Sequence, residues 1–275
     1  MGLFALRVMV ENRAFENRIN TLMRFSTRMV HDVVMQQARL LVHNPAGAAK
    51  GYHGLIALTP PFAGDLKQID SLGAQKKVGD TSLHYDILRA FPLLTIDDLS
   101  IFRVAPKNQR YIERLKHYVQ KKDLEAVRAM LNARGKFQGD YITAPTQTLH
   151  RAHRDETTGR TKRTPYQIVT GGAAIRNTYE KRARLAIGRA KAGWLPAARA
   201  LGVRGLPGWI AGQRGEGSLT IVESTPATLR LRITNNVPYI GELEHRANIL
   251  AKARANRSLA IKMQLRKYVR DHLPR

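Results

Sequence analysis

The chain has 275 residues, 43% of them hydrophobic, and 46 Lys and Arg against 21 Asp and Glu give it a formal net charge of +25. It has no cysteine, which excludes disulfides, thiolate metal sites and a cysteine nucleophile. No apolar run approaches the roughly 20 residues that span a bilayer. Because so uneven a charge opposes compaction unless it is offset, the candidate partners are nucleic acid, a membrane surface or an acidic protein.

A long helix is predicted near the N-terminus. Apolar residues recur at three- and four-residue spacing from Phe15 to Leu40, and the sequence NPAG at 44–47 ends the pattern. About 30 helical residues would be roughly 45 Å long. Such a helix is typical of elements that pack against neighbouring subunits, and a long core helix in a monomer is the equal alternative. Residues 1–44 are therefore expected to form an N-terminal arm and long helix.

The next predicted elements are helices separated by turns. Residues 78–91 read as a short amphipathic helix, Asn108 can cap a further helix that restarts at Asp123, and Gly135 would end it. Residues 92–140 therefore form a mostly helical insertion in this interpretation. The polar stretch at about 145–165 is predicted to be an exposed, mobile basic loop.

The C-terminal half combines strands and helices. A strand is predicted at 166–170 and a helix at 175–191. The sequences SLTIVE (218–223) and TLRLRIT (228–234) follow, and the second alternates apolar with polar residues, as half-buried antiparallel strands do. A last basic helix is predicted at about 240–270. The fold class is α+β, with a small antiparallel sheet packed with helices within a domain at 45–275.

No catalytic or cofactor motif stands out, and we predict no enzyme, no cofactor and no metal site. His150 and His153 have no carboxylate or cysteine at ligand spacing, and the Glu-His pair at 244–245 lacks the second histidine of a zincin helix. Asp97 and Asp98 are a lone acidic pair, which a helix N-terminus explains through the helix dipole. A nuclease would need further carboxylates and a nearby lysine, so it is kept only because the charge permits it.

Both tryptophans lie in one basic stretch rich in glycine and proline, GRAKAGWLPAARALGVRGLPGWI at 188–210. Pro196 suits the first position of a short helix and Gly202 suits its left-handed cap, so the bulky residues can face one apolar surface. Core packing is the favoured interpretation, while an intersubunit contact and stacking on nucleic-acid bases stay open. Packing roles are predicted for Trp194, Leu201, Trp209, Pro238 and Tyr239.

Most of the excess positive charge lies in the second half, since residues 151–275 carry a net charge of +17 and residues 1–150 one of +8. No helix combines Arg with Asn or Gln at a spacing that suggests groove reading. We therefore expect contacts with phosphate or acidic proteins that read no sequence, and a solvated basic face without a partner is the alternative. The candidate contacts are Arg182, Arg189, Lys191, Arg230, Arg232, Arg254 and Arg257.

The order of several segments resembles the neck or tail-completion proteins of tailed bacteriophages, also described as minor tail or head–tail joining proteins. The segments are LTPPFAG (58–64), QKKVGDTSLHYDILRAF (75–91), HRDETTGR (153–160), GRAKAGWLPAARALG with LPGWI (188–210), and a strand that ends in NNVPYIGEL (235–243). The resemblance is most specific in the stretch with both tryptophans (188–210), which we call the Trp segment, and in the turn NNVPY (235–239) after the strand. The resemblance spans roughly 38–267 and departs between Phe91 and Tyr141, where it implies no role.

This resemblance implies a structural protein of the virion. Such proteins are small α/β proteins with an antiparallel sheet and a long helix, and they form rings, commonly six-fold or a multiple, at the capsid–tail junction. The chain would be made in the host cytoplasm, contact neighbouring neck and tail proteins, and let double-stranded DNA pass without sequence readout. Residues 11–43 would then be partly buried by other subunits. The alternative is a sequence-nonspecific DNA- or RNA-binding protein that acts as a monomer or dimer.

Overall fold

The computed structural model describes the chain in several stretches. They are residues 6–9, 27–43, 54–61, 72–102, 108–155, 159–163, 165–225 and 228–258. Within them, helices outnumber strands, and the strands form one three-stranded antiparallel sheet and one parallel pair. This mixture confirms the predicted α+β class.

The elements follow one another along the chain in two halves. The first half contains β1 (Leu6–Met9), α1 (Thr27–Val42), α2 (Leu55–Leu58), α3 (Leu72–Ala90), α4 (Ile96–Leu99), α5 (Gln109–Lys121), α6 (Leu124–Asn132) and β2 (Asp140–Ile142). The second contains α7 (Gln147–Ala152), β3 (Gln167–Val169), α8 (Ala173–Arg184), α9 (Arg189–Ala192), α10 (Leu195–Ala200), α11 (Gly208–Ala211), β4 (Gly217–Ser224), β5 (Leu229–Asn235), α12 (Ile240–Ala247) and α13 (249–258).

The chain divides into two compact units. The sheet unit comprises Met1–Pro61, Leu66–Lys77 and Gly188–Arg275, and the helical unit comprises Phe62–Asp65 and Val78–Ile187. The helical unit is thus a nearly continuous stretch, whereas the sheet unit draws on both ends of the sequence. The N-terminal arm that we expected as a separate segment belongs to the sheet unit, because β1 pairs with β5.

β5 is the central strand of the three-stranded sheet, with β1 antiparallel on one side and β4 antiparallel on the other. Leu231 and Ile233 are buried, as expected when apolar and polar residues alternate along a strand with one face on the core. A shift of register between Ile221 and Glu223 places a β-bulge in β4. The two predicted strands and their antiparallel pairing are confirmed.

The helical unit has its own hydrophobic cluster, to which α5 and α6 contribute. Its buried members are Leu99, Phe102, Leu115, Val127, Leu131, Phe137 and Ile168. Because Ile168 lies on β3, outside the predicted insertion at 92–140, the insertion shares its core with the rest of this unit. β3 pairs in parallel with β2, so the cluster is closed by a short two-stranded sheet.

Helix boundaries in this unit follow local capping chemistry. Asn108 caps α5 by accepting a hydrogen bond from the backbone N–H of Tyr111, and Asp123 caps α6 by accepting one from Ala126. Gly135, three residues beyond α6, adopts a left-handed φ of +60°. The structure confirms these predicted boundaries.

Two predicted helices differ from the structure, and a third is described only in part. For this third, N-terminal helix, the structure describes the 16 residues of α1, about 24 Å at 1.5 Å per residue, while residues 10–26 lie outside the described part. The helix predicted at 175–191 ends at Arg184, and a short helix begins after Gly188, where φ is +86°. The last predicted helix is interrupted at Asn248, where φ is +51°, and continues at 249–258, while residues 259–270 lie outside the described part. In both cases the apolar periodicity runs on through a left-handed residue that interrupts the helix.

The stretch predicted as an exposed basic loop at about 145–165 is partly helical. Thr146 caps α7 by accepting a hydrogen bond from the backbone N–H of Leu149, and both His150 and His153 are buried. The loop interpretation is wrong for this part of the stretch. The low apolar content of the stretch suggested exposure, but the imidazole rings of His150 and His153 pack against aromatic rings, as apolar side chains do in other parts of a core.

Candidate functional site: the tryptophan segment and the basic side chains

Trp194 is fully buried in the sheet unit, which agrees with the packing interpretation. Its indole Nε1–H donates to the Thr59 hydroxyl at 2.9 Å, and that hydroxyl donates to the Leu55 carbonyl at 2.7 Å. Thr59 is itself fully buried. The sequence stretch LTPP therefore lies directly against the Trp segment, and the one polar atom of the indole has a partner inside the core.

Lys191 is the most unusual side chain of the Trp segment, because it is fully buried. Its ammonium donates to the carbonyls of Ile56 at 2.8 Å, Ala57 at 3.3 Å and Thr59, so it caps the carboxyl end of α2. Burial lowers the pKa of Lys191 to about 7. The prediction that this lysine contacts phosphate or an acidic partner is wrong, since its charge is enclosed by main-chain carbonyls.

Asn235 connects the end of β5 to the Trp segment. Its side-chain Nδ2 donates to the Ala190 carbonyl at 2.9 Å, and its Oδ1 accepts from the backbone N–H of Val237 at 3.1 Å. A Cβ at Gly193 would lie 2.0 Å from that Oδ1, and a Cβ at Gly217 would lie 2.2 Å from the Gly193 carbonyl oxygen. These glycines permit the close approach of the strand and the helix.

The remaining predicted packing residues divide into two groups. Leu201 is fully buried, and its carbonyl accepts from the Arg39 guanidinium of α1. Trp209 is half-buried, and a Cβ at Gly188 would lie 2.4 Å from its ring. Pro238 is exposed, which corrects the packing role predicted for it, and Tyr239 is half-buried. The fully buried residues of this turn are Val237 and Ile240, one on each side of the two that we predicted.

Two of the predicted polyanion contacts already pair with acids of the chain. Arg189 donates to Glu216 at 2.7 Å, and Arg230 lies 3.4 Å from Glu223. Arg182 is exposed and forms no ion pair within the part of the chain that the structure describes. It belongs to the helical unit, whereas the other candidates belong to the sheet unit.

The last three candidates differ in exposure. Arg254 is exposed, and Arg232 and Arg257 are half-buried. The buried Nε of Arg232 makes no hydrogen bond within the described residues. The candidates thus differ in their burial and in their partners within the chain.

The sequence analysis missed a buried network of polar side chains in the helical unit, formed by Asp86, Arg154, His150 and Tyr179. One carboxylate oxygen of Asp86 accepts from Arg154 at 2.7 Å and lies 3.0 Å from the His150 Nε2, while the His150 Nδ1 lies 2.9 Å from the Tyr179 hydroxyl. With its proton on Nε2, the imidazole donates to Asp86 and accepts from Tyr179. The ring of Phe91 packs edge-on against the rings of His150 and Tyr179.

The side chains of this buried network are connected as in an acid–histidine relay that activates a hydroxyl, but their chemistry favours a structural role. Burial raises the pKa of Tyr179 to about 12, which keeps the hydroxyl protonated and opposes its use as a nucleophile. The side chains of Asp86 and His150 are only 6% and 7% exposed. Removal of one partner would leave an uncompensated buried charge, so these side chains have to be kept together in the folded unit.

The sequence contains only a weak indication of this buried network. Asp86 lies three residues after Leu83 and four before Ala90, so it occupies the buried face of α3, where an acid requires a partner. The partner, His150, lies 64 residues away, and no spacing rule connects the two. Periodicity therefore predicts that Asp86 is paired without saying by what.

His153 is fully buried beside this network, and neither ring nitrogen makes a hydrogen bond within the described residues. Burial lowers the pKa of His153 to about 4, so the ring is neutral near pH 7. No group of three or more His, Cys, Asp or Glu in the described stretches is arranged to hold a metal ion. The two histidines that drew attention in the sequence thus have packing environments.

The acidic pair at 97–98 lies in the first turn of α4, as predicted. The Thr95 hydroxyl accepts from the backbone N–H of Asp98 and donates to its carboxylate at 2.9 Å. The same carboxylate also binds the Arg176 guanidinium at 2.6 Å. The pair therefore has a capping position and an internal counter-charge.

Among the described residues, no helix combines the length and apolar character needed to cross a bilayer. Comparison of the chain with models of known protein families, with characterised proteins and with solved structures finds no match.

Proposed function

We propose that the protein is a structural component of the bacteriophage neck. In this proposal it forms a homo-oligomeric ring, six-fold or a multiple, that joins capsid and tail or completes the tail and lets double-stranded DNA pass. Neighbouring neck and tail proteins would be its protein partners. The function rests on the resemblance in sequence, and the geometry of the Trp segment is the observation that supports it.

That geometry brings together segments which carry the resemblance but are far apart in the chain. Thr59 of LTPP bonds to Trp194, and Asn235 of NNVPY bonds to the carbonyl of Ala190. Gly193 lies against the side chain of Asn235. The shared residues thus hold one scaffold together, and packing residues of this kind are what a structural protein has to keep.

The proposal is tested on particles. Mass spectrometry of purified virions should find six copies of the chain per particle, or a multiple, and immunogold labelling should place it at the capsid–tail junction. Complementation with Asn235→Ala should lower its incorporation, because that change removes two buried hydrogen bonds. Asn236→Ala is the matched control, since Asn236 is the exposed neighbour. Absence of the chain from infectious particles would reject the proposal.

A sequence-nonspecific nucleic-acid-binding protein is the second candidate, and the net charge of +25 favours it. The two candidates differ in assembly. Native mass spectrometry and negative-stain images, with and without DNA, should show closed rings for a neck protein and monomers or dimers for the alternative. Strong discrimination between unrelated duplexes would contradict both, because neither includes sequence readout.

A further inference from the structure

A cleft of about 1270 Å³ lies within the helical unit. Its cationic lining residues are Arg89, Lys136, Arg160 and Arg163. Among the described residues that line it there is one acid, Asp86, and that carboxylate is already bound by Arg154 and His150. The described part of the cleft wall therefore carries more positive than negative charge.

Three of these cations are well placed for an external anion. Arg89, Lys136 and Arg163 are exposed, and none of them forms an ion pair with an acid in the part of the chain that the structure describes. Like charges that line one concave surface repel each other and raise the local concentration of anions. An occupant with several negative charges would relieve this repulsion.

The other lining groups indicate what the anion carries. The hydroxyl-bearing side chains Ser82, Ser100 and Thr161 can donate to phosphate oxygens. Tyr85, which also lines the cleft, is 66% exposed, so its ring is available to stack on a base. The volume exceeds the roughly 300–1,000 Å³ of sites for small ligands, which favours a polymer.

We propose that this cleft binds the phosphodiester backbone of nucleic acid. The inference deepens the proposed function, because it assigns to the helical unit a contact with the nucleic acid that passes the neck. These cleft residues are distinct from the cations that the sequence pattern singled out. Binding reads no sequence, since the cations and hydroxyls lining the cleft serve the backbone and a stacking ring accepts any base.

The test uses the full-length protein and fluorescence anisotropy with labelled duplexes and single strands of unrelated sequence. The triple variant Arg89→Gln, Lys136→Gln and Arg163→Gln removes three exposed charges of the cleft. We expect at least a tenfold loss of affinity at about 100 mM salt and a log–log salt slope smaller by about 2 to 3. A variant that binds as the wild type does would overturn the proposal.

A second triple variant controls for net charge. Arg114→Gln, Lys116→Gln and Lys121→Gln remove the same charge from exposed positions on α5 that do not line the cleft. This variant should lose less than threefold in affinity. An equal loss in both variants would show that only the overall charge matters and would overturn the cleft as the site.

Crosslinking adds a measurement that needs no variant. Ultraviolet crosslinks between the wild-type protein and a nucleic acid should fall on Tyr85 and the cleft cations, and crosslinks confined to other regions would contradict the proposal. Tyr85→Ala identifies the strand form. If Tyr85→Ala selectively lowers the affinity for single strands, by fivefold or more, the cleft binds a single strand with an unstacked base on the Tyr85 ring. If Tyr85→Ala leaves duplex binding unchanged while the triple variant abolishes it, the cleft binds a duplex. Binding of inorganic tripolyphosphate but of neither polymer would reject it.

The outcome is separable from that of the proposed function. Loss of binding in the cleft variant, together with absence of the chain from particles, would leave the cleft in place and reject the neck. Normal binding by that variant, with the chain present at the junction, would reject the cleft alone.

Discussion

The two units stabilise a buried charge in different ways. In the sheet unit, the Lys191 ammonium is surrounded by three main-chain carbonyls and contacts no acid among the described residues. In the helical unit, Asp86 is bound by side chains of residues more than 60 positions away. The first arrangement depends on backbone geometry, and the second depends on which residues are present. The comparison teaches that a buried charge does not by itself indicate a reactive site.

Both units should gain stability as the pH rises, but over different pH ranges. Burial lowers the pKa of Lys191, so the unfolded state holds its proton to a higher pH than the folded state does. In the helical unit, burial alone would raise the pKa of Glu180, but hydrogen bonds from Arg184 and His84 outweigh it and lower that pKa. The sheet unit should therefore gain stability as the solution becomes alkaline, and the helical unit should lose stability in acid.

The largest effect is expected from Trp194→Ala in the sheet unit. The change removes a fully buried indole and its bond to Thr59, so the free energy of unfolding should fall by about 3–5 kcal/mol. A denaturant melt measures it, and Trp209→Ala, at the half-buried tryptophan of the same segment, is the control and should cost less. An unchanged midpoint for Trp194→Ala with lost nucleic-acid binding would favour the stacking interpretation.

Asp86→Asn probes the side-chain arrangement of the helical unit. It removes the buried carboxylate that Arg154 and His150 bind, and we expect a loss of about 3 kcal/mol in a denaturant melt. Asp140→Asn provides the contrast, because the Asp140–Arg128 pair is 71% and 40% exposed and should contribute less than about 1 kcal/mol. Equal losses in the two variants would show that burial gives the Asp86 pair no greater weight than an exposed pair.

Lys191→Met tests the main-chain arrangement through its pH dependence. Between pH 7 and pH 9 the folded protein releases the Lys191 proton and the unfolded chain retains it, so stability should rise by about 2 kcal/mol. Urea melts of the wild type and the variant at both pH values measure this, and the rise should be absent from the variant. The same slope in both proteins would assign it to other groups.

The smallest effect is expected at a helix terminus. Asp123→Ala removes the side chain that accepts from the backbone N–H of Ala126, which should cost about 1 kcal/mol in a thermal or denaturant melt. Glu113→Ala, on the exposed face of α5, should stay within about 0.5 kcal/mol. A cap that contributes nothing would show that packing alone sets the boundary between α5 and α6.

Local features of the fold could be predicted because their causes lie within a few residues. Asn108 and Asp123 begin their helices as caps, Pro196 stands at the start of α10, and Gly202 takes a left-handed φ of +69°. The alternation in β5 likewise identifies a half-buried strand. In each case the sequence that determines the structure is the sequence adjacent to it.

The features that escaped prediction depend on distant parts of the chain. The strand β1 has four residues, and its pairing with β5 has no local signature. A lysine is seldom fully buried, so Lys191 read as a surface cation until the carbonyls of α2 were seen around it. The exposed face of Pro238 and the partners of Asp86 were missed for the same reason, since burial is decided by elements elsewhere in the sequence.

The pairing of β1 with β5 has a consequence for synthesis. Leu6 lies opposite Asn235, so the first strand of the sheet leaves the ribosome long before its neighbour exists. At synthesis rates of about 5–20 residues per second, the delay is on the order of tens of seconds. The helical unit, whose sequence ends at Ile187, is complete within that interval. During translation the N-terminal strand is therefore an unpaired edge that must avoid other chains while it waits.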